Sequence, residues 1–206
     1  MRTIRALIVG AIFLILWNII SSADNVEGMS RTRRASKSRL KNIYGKPLRS
    51  CRRKPGRANR GSWDREGKCS EMDGGVHQIC VHLNEGTKGF SRSTKQGNWS
   101  LDRVGKNHCM CLGAWALFKA RQNLGEIPPT AGELVCDAIP DTALTPQYIS
   151  EWNTWNGHQK NNQIMDGVRA IYEQCSPYSD AKGRAYLKKK YNYLLGYIVS
   201  PQHERA

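Results

Sequence analysis

Hydrophobic and polar positions alternate with period two from Val76 to Leu83. His77, Ile79, Val81 and Leu83 fall on one side and Val76, Gln78, Cys80 and His82 on the other, which predicts a strand with one apolar face. Cys109 and Cys111 share one face of a second short strand. From Ala114 to Leu124 the pattern becomes helical, ended by Gly125 at the C′ position with Pro128 and Pro129 barring continuation. Thr130-Ala131-Gly132-Glu133 has capping-box spacing and predicts a helix through Cys136. Thr145-Pro146 opens another, with Pro at its first position. Ile164, Val168, Ile171, Tyr172 and Cys175, then Leu187, Tyr191, Leu194, Leu195 and Ile198, repeat at i, i+4, i+7, i+8 and i+11. These are two amphipathic helices whose stripes are expected to pack on the central domain rather than bind a cofactor. The elements add up to an α+β fold: a small sheet with packed helices, plus two C-terminal amphipathic helices.

Ahead of this body, Ala6 to Ile20 is an apolar run behind Arg2 and Arg5, and Ser21-Ser22-Ala23 offers small residues for cleavage. Residues 1–23 therefore read as a signal peptide or membrane anchor, the run 6–20 being short of the ~20 residues that a span needs. The remaining organisation is a basic disordered arm at 24–41, an α+β domain at 42–150, a helical extension at 151–200 and a tail at 201–206. With 206 residues and 39% hydrophobic composition, the chain has enough apolar material for a folded core.

The net charge of +15 is unevenly placed. Residues 31–60 hold thirteen Lys and Arg and no acid, whereas residues 61–206 hold 17 basic against 15 acidic residues. Arg31, Arg33, Arg34, Lys37, Arg39 and Lys41, with Arg52, Arg53 and Lys54, are the candidate polyanion contacts, because each neutralised phosphate or sulfate releases counterions. The alternative is a solvated tail. Sequence-specific nucleic-acid reading is not supported: Tyr44 is the one aromatic of residues 24–60, and neither zinc-finger spacing nor a ribonucleoprotein box occurs. Arg31-Thr32-Arg33-Arg34 resembles a dibasic processing site, and 24–42 has the composition of a transit segment, which would direct the chain to a complex plastid. Lys188-Lys189-Lys190 offers a further contact with an anionic membrane surface.

The order Gly45-Lys46-Pro47-Leu48, Cys51, Asp64-Arg65-Glu66-Gly67-Lys68-Cys69, His77-Gln78-Ile79-Cys80, Gly97-Asn98 and His108-Cys109-Met110-Cys111 with Trp115 beyond resembles the uncharacterised, largely bacterial domain-of-unknown-function family numbered 2237. The resemblance covers about residues 42–150 and implies an α+β domain; the family brings no established activity. Trp99 stands where that family has Asp, His108 where it has Trp, and Ala114 where it has Arg.

Seven cysteines, at 51, 69, 80, 109, 111, 136 and 175, are disulfide candidates in an exported chain, with one thiol left over. Spacing does not fix their connectivity. The metal alternative is zinc on Cys69, Cys80, Cys109 and Cys111, with His77 or His108 able to replace a thiolate, although no Cys-x-x-Cys knuckle is present. Candidate catalytic thiols are Cys111, just ahead of a helix, and Cys80, three residues after His77. Asn98-Trp99-Ser100 is a glycosylation sequon, meaningful if the body is luminal. Trp152 and Trp155 beside Asn156-Gly157 either cap the core or stack a sugar or peptide.

The function these residues support is that of an exported or membrane-associated binding or structural protein whose basic arm contacts polyanions or acidic partners. The alternatives are a cysteine-dependent enzyme using Cys80 or Cys111 with His77, and a zinc-stabilised module facing the cytosol.

Overall fold

The computed structural model describes residues 40–52, 61–71, 76–146 and 161–199. Two strands, β1 (His77–His82) and β2 (Asn107–Cys111), form one antiparallel pair. Among the described residues four helices accompany it: α1 (Phe90–Ser93), α2 (Leu112–Asn123), α3 (Asn161–Cys175) and α4 (Ala181–Val199). The fold is α+β.

Helix α2 starts directly from β2 and is its continuation into the core. Leu112, Ala114, Trp115, Ala116, Phe118 and Ala120 are all buried, so apolar side chains surround the axis, as in an interior helix. It ends as expected, with Leu124 as C-cap and Gly125 at φ 73°, the left-handed turn that glycine adopts without a Cβ clash. Helix α3 packs along it, and Trp115 Nε1 donates to the Gly167 carbonyl at 3.1 Å. The apolar stripes of α3 and α4 are buried at Ile164, Val168, Ile171, Leu187, Leu194 and Ile198. Tyr172 and Tyr191 stack between the two helices, ring centroids 4.4 Å apart and 11° from parallel.

The folded part begins at the end of the basic segment. Asn42 Oδ1 accepts from the amides of Tyr44 and Lys46 at 3.0 and 3.1 Å, a side-chain turn typical of Asn. Ile43 is fully buried, and the Tyr44 hydroxyl donates to the Cys175 carbonyl at 2.7 Å. Residues 41–48 thus belong to the body rather than to a solvated tail.

Two sequence expectations fail here. Strand β1 is buried on both faces: Gln78 is enclosed, donating to the Glu71 carbonyl and accepting from Thr142 Oγ1. The capping-box helix does not form, because Gly132 takes φ 72° and the Glu133 carboxylate turns inward to Lys119 and the Thr130 hydroxyl. Two 3-10 turns, Cys136–Ala138 and Asp141–Leu144, follow in its place. The helix expected from Pro146, the Trp152–Trp155 cluster and the apolar run 6–20 lie outside the described residues. No helix among the described residues is long and apolar enough to cross a membrane.

Candidate functional site

The cysteines settle first. Three disulfides join Cys51 to Cys80, Cys69 to Cys109 and Cys136 to Cys175. Cys111 alone remains a thiol. Six half-cystines fit an oxidising environment. They also correct two expectations. Cys80 is no catalytic thiol, because its sulfur is bonded to Cys51. The set Cys69, Cys80, Cys109 and Cys111 presents no zinc site in this oxidised state, since the first three sulfurs are covalently engaged and a metal needs thiolates.

Cys111 is also the N-cap residue of α2 and lines a cleft of about 260 Å³ together with Ser62, His77, Trp99, Arg103 and His108. A bulge builds this neighbourhood. The β1–β2 register pairs Cys80 with Cys109 and Ile79 with Met110, then skips Gln78 to set His77 opposite Cys111. A bulge of this kind re-aims a side chain, taking His77 out of the alternation that places it with Ile79 and Val81. Its Nδ1 contacts Glu71 Oε2, giving a carboxylate, an imidazole and a thiol in succession.

That succession is the arrangement which activates a nucleophile, but the thiol opposes it. Burial pushes the Cys111 thiol up to about 12, and the negative charge of Glu71 adds to the rise. In this state the thiolate is strongly disfavoured.

On the other wall Arg103 Nη1 lies 2.9 Å from His108 Nδ1. A guanidinium only donates, so Nδ1 accepts, the ring is neutral and the remaining proton sits on Nε2. His108 Nε2–H then faces Ser62 Oγ at 3.4 Å as a donor, so it has no lone pair with which to take the serine proton. The indole of Trp99 packs on His108 at 4.3 Å, and the Arg103 guanidinium lies 4.8 Å from the centre of the Trp99 ring. The arrangement is a rigid aromatic–cationic wall suited to contact rather than proton transfer. The sequence marked Trp99 and His108 as departures from a family pattern, His108 also as a stand-in zinc ligand and Trp99 within the sequon, while Arg103 and Ser62 carried no signal. A larger hollow of about 740 Å³ lies against α2 and α3, with Lys119, Asp166, Arg169 and Glu173 alternating in sign and no histidine or cysteine on its wall.

Among the polyanion candidates, Lys41 is exposed and Arg52 half-buried; Arg31, Arg33, Arg34, Lys37, Arg39, Arg53 and Lys54 lie outside the described residues. Two neighbouring cations are neutralised locally, Lys46 by Asp180 at 2.8 Å and Arg49 by Asp137 at 3.5 Å. A second basic surface is on α4, whose nineteen residues carry Lys182, Arg184, Lys188, Lys189 and Lys190 and no acid. Lys190 turns to Asp141 at 3.6 Å. Lys182, Arg184, Lys188 and Lys189 are exposed and form no ion pair among the described residues. The sequence signal was the absence of acids over 181–199, broader than the lysine triplet.

Asn98 of the sequon is exposed on a turn, while the Ser100 hydroxyl is buried, donating to the Lys88 carbonyl at 2.6 Å. A glycosyltransferase would have to act before this loop closes.

No family model matches the chain, and no curated protein or solved structure matches it either.

Proposed function

We propose that the chain is an exported, disulfide-stapled binding protein that contacts polyanions or acidic partners through basic surface, with residues 1–23 as its export signal or anchor and Asn98 as a glycan site. The observation that carries this reading is the charge pattern of α4, a folded helix with four exposed cations and no acid. Residues 61–206 are nearly neutral in sum, so these helix cations and the acid-free run 31–60 are where the positive charge concentrates. Such a surface draws anionic polymers by counterion release. The proposal includes membership of family 2237. Two departures from that family's pattern, Trp99 and His108, lie in ring contact, so the exchange of Asp and Trp for Trp and His keeps one aromatic at the same wall.

The test uses heparin with the full chain, the quadruple variant K182Q/R184Q/K188Q/K189Q, and a truncation of residues 24–40. The truncation stops at 40 because Ile43, Tyr44 and Cys51 belong to the core. The quadruple variant is expected to lower the slope of log affinity against log salt by about 3, at somewhat under one per lost contact. If both variants bind heparin as the parent does, the reading fails.

One observation favours a second reading, a cysteine-dependent enzyme: the single thiol left free sits in the cleft opposite His77, whose ring is held by Glu71. It requires Cys111 to alkylate at neutral pH much faster than an ordinary thiol. Slow labelling excludes it.

A further inference from the structure

Four sulfurs meet on one side of the strand pair. Cys80 and Cys109 are directly opposed in the β1–β2 register, so their side chains leave the sheet on the same side. Cys51 and Cys69 approach from separate loops and bond to them. The two disulfides are not independent: the sulfurs of Cys51, Cys69 and Cys109 all lie within 4.8 Å of one another, and Cys80 is attached to Cys51. All four residues are fully buried.

We infer that reduction of these two disulfides turns the cluster into a structural zinc site with Cys51, Cys69, Cys80 and Cys109 as its ligands. A tetrahedral tetrathiolate with zinc–sulfur bonds of about 2.3 Å has its sulfurs about 3.8 Å apart. Turning a cysteine from one staggered rotamer to the next moves its sulfur by about 3 Å, so side-chain rotation alone spans the difference. The backbone of three of the ligands, Cys51, Cys80 and Cys109, is held by hydrogen bonds independent of the sulfur bonds. The Cys51 amide donates to the Gly67 carbonyl at 2.8 Å, and its carbonyl accepts from Asn107 Nδ2 at 2.7 Å. The Cys80 carbonyl accepts from Val135 at 3.0 Å, and the Cys109 amide donates to Gly61 at 2.8 Å.

The ligand set differs from the one the sequence suggests in one member: Cys51 replaces Cys111, which lines the cleft beside His77 instead. Each disulfide takes two electrons and two protons from a dithiol, which leaves as its own disulfide. Zinc binding then displaces the four thiol protons. The same four residues thereby serve as two staples under oxidising conditions and as one metal centre under reducing ones. This inference concerns a different part of the molecule from the polyanion surface and does not depend on it.

The full chain is reduced with a phosphine, which does not compete as a thiol ligand, and titrated with Co²⁺ and then Zn²⁺. Expected is one equivalent bound, with the visible spectrum of tetrahedral cobalt–thiolate coordination, bleached by zinc; the oxidised chain shows neither. Alkylation of the reduced zinc-loaded chain, read by mass spectrometry, should spare Cys51, Cys69, Cys80 and Cys109 and label Cys136 and Cys175. This footprint assigns the ligands in the parent chain, so it holds even where Cys51→Ser fails to fold. Cys111→Ser should keep the full cobalt spectrum. A reduced chain that binds no metal, a footprint in which Cys51 labels as fast as Cys136, or loss of the spectrum in Cys111→Ser each overturns the inference.

Discussion

Replacing Lys119 by Met tests whether the inward turn of Glu133 is held by charge. Lys119 Nζ lies 3.0 Å from Glu133 Oε1, with side-chain exposures of 7% and 0%. At that separation, with the effective dielectric of about 20 that suits protein sites, the attraction is about 5 kcal/mol. Removing the cation leaves the carboxylate buried, a loss that typically costs about 3–5 kcal/mol. Thr130 Oγ1 at 3.0 Å and Gln174 Nε2 at 3.1 Å still donate to the same oxygen, so the expected cost for K119M sits near the lower end, about 3 kcal/mol. Replacing both partners, K119M/E133L, removes the uncompensated charge and should recover most of that loss. Urea unfolding of K119M, E133L and the double variant at neutral pH, read at constant m-value, gives the three free energies and the coupling between the two sites. A K119M cost below about 1 kcal/mol, or a double variant whose loss equals the sum of the singles, would refute the argument that this pair is electrostatically coupled in the core.

Replacing Cys136 and Cys175 together by Ala opens a loop with a sequence separation of 39; the chain-entropy relation gives a loss of about 4 kcal/mol in urea unfolding, and a loss under about 1 kcal/mol contradicts it. Cys111 predicts alkaline behaviour. Its thiol is pushed up from 9.0 to about 12 by burial, so the folded chain holds that proton more tightly than the unfolded one. The resulting stability is complete below about pH 9 and is lost as pH rises toward 12, of order 4 kcal/mol in all. Tyr186, raised to about 12 by burial and by its hydrogen bond to Asp141, adds in the same direction. Cys111→Ala should therefore lose less stability than the parent between pH 9 and 12, measured by urea unfolding at fixed pH; equal losses would show that the thiol is not responsible.

Periodicity was a sound guide wherever a residue's fate depends on its near neighbours. The strand, at His77–His82, the helix ended by Gly125 and the two C-terminal stripes all depend on local pattern and each is present, although the pattern did not reveal that β1 is buried on both faces. Thr130-Ala131-Gly132-Glu133 misled for the opposite reason. The same Thr and Glu that would cap a helix are satisfied by each other and by Lys119 fourteen positions away, a partner that local spacing cannot reveal. Cys80 and Cys111 were equivalent by sequence, each near a histidine or a helix start. What separates them is that Cys51 arrives from a distant loop to take one sulfur and not the other. The cleft was half legible: His77 and Cys111 were named as partners, but Arg103 and Ser62 join them through chain folding alone.

The bulge at Gln78 decides more than any other local feature. In an unbroken ladder the residue that follows Met110 on β2 would face Gln78, since a register shift of one residue exchanges the two faces of a strand. Skipping Gln78 instead sets His77 opposite Cys111, and the skipped amide is secured by Glu71 and Thr142. The Glu71 carbonyl holds Gln78 while its carboxylate holds His77, so one residue fixes both the bulge and the imidazole. The half of the ladder without the bulge keeps Cys80 opposite Cys109, where the two disulfides gather. The thiol cleft is therefore a product of the register change, whereas the sulfur cluster belongs to the regular half of the ladder, and a variant that loses the Gln78 contacts should disturb the first while leaving the second in place.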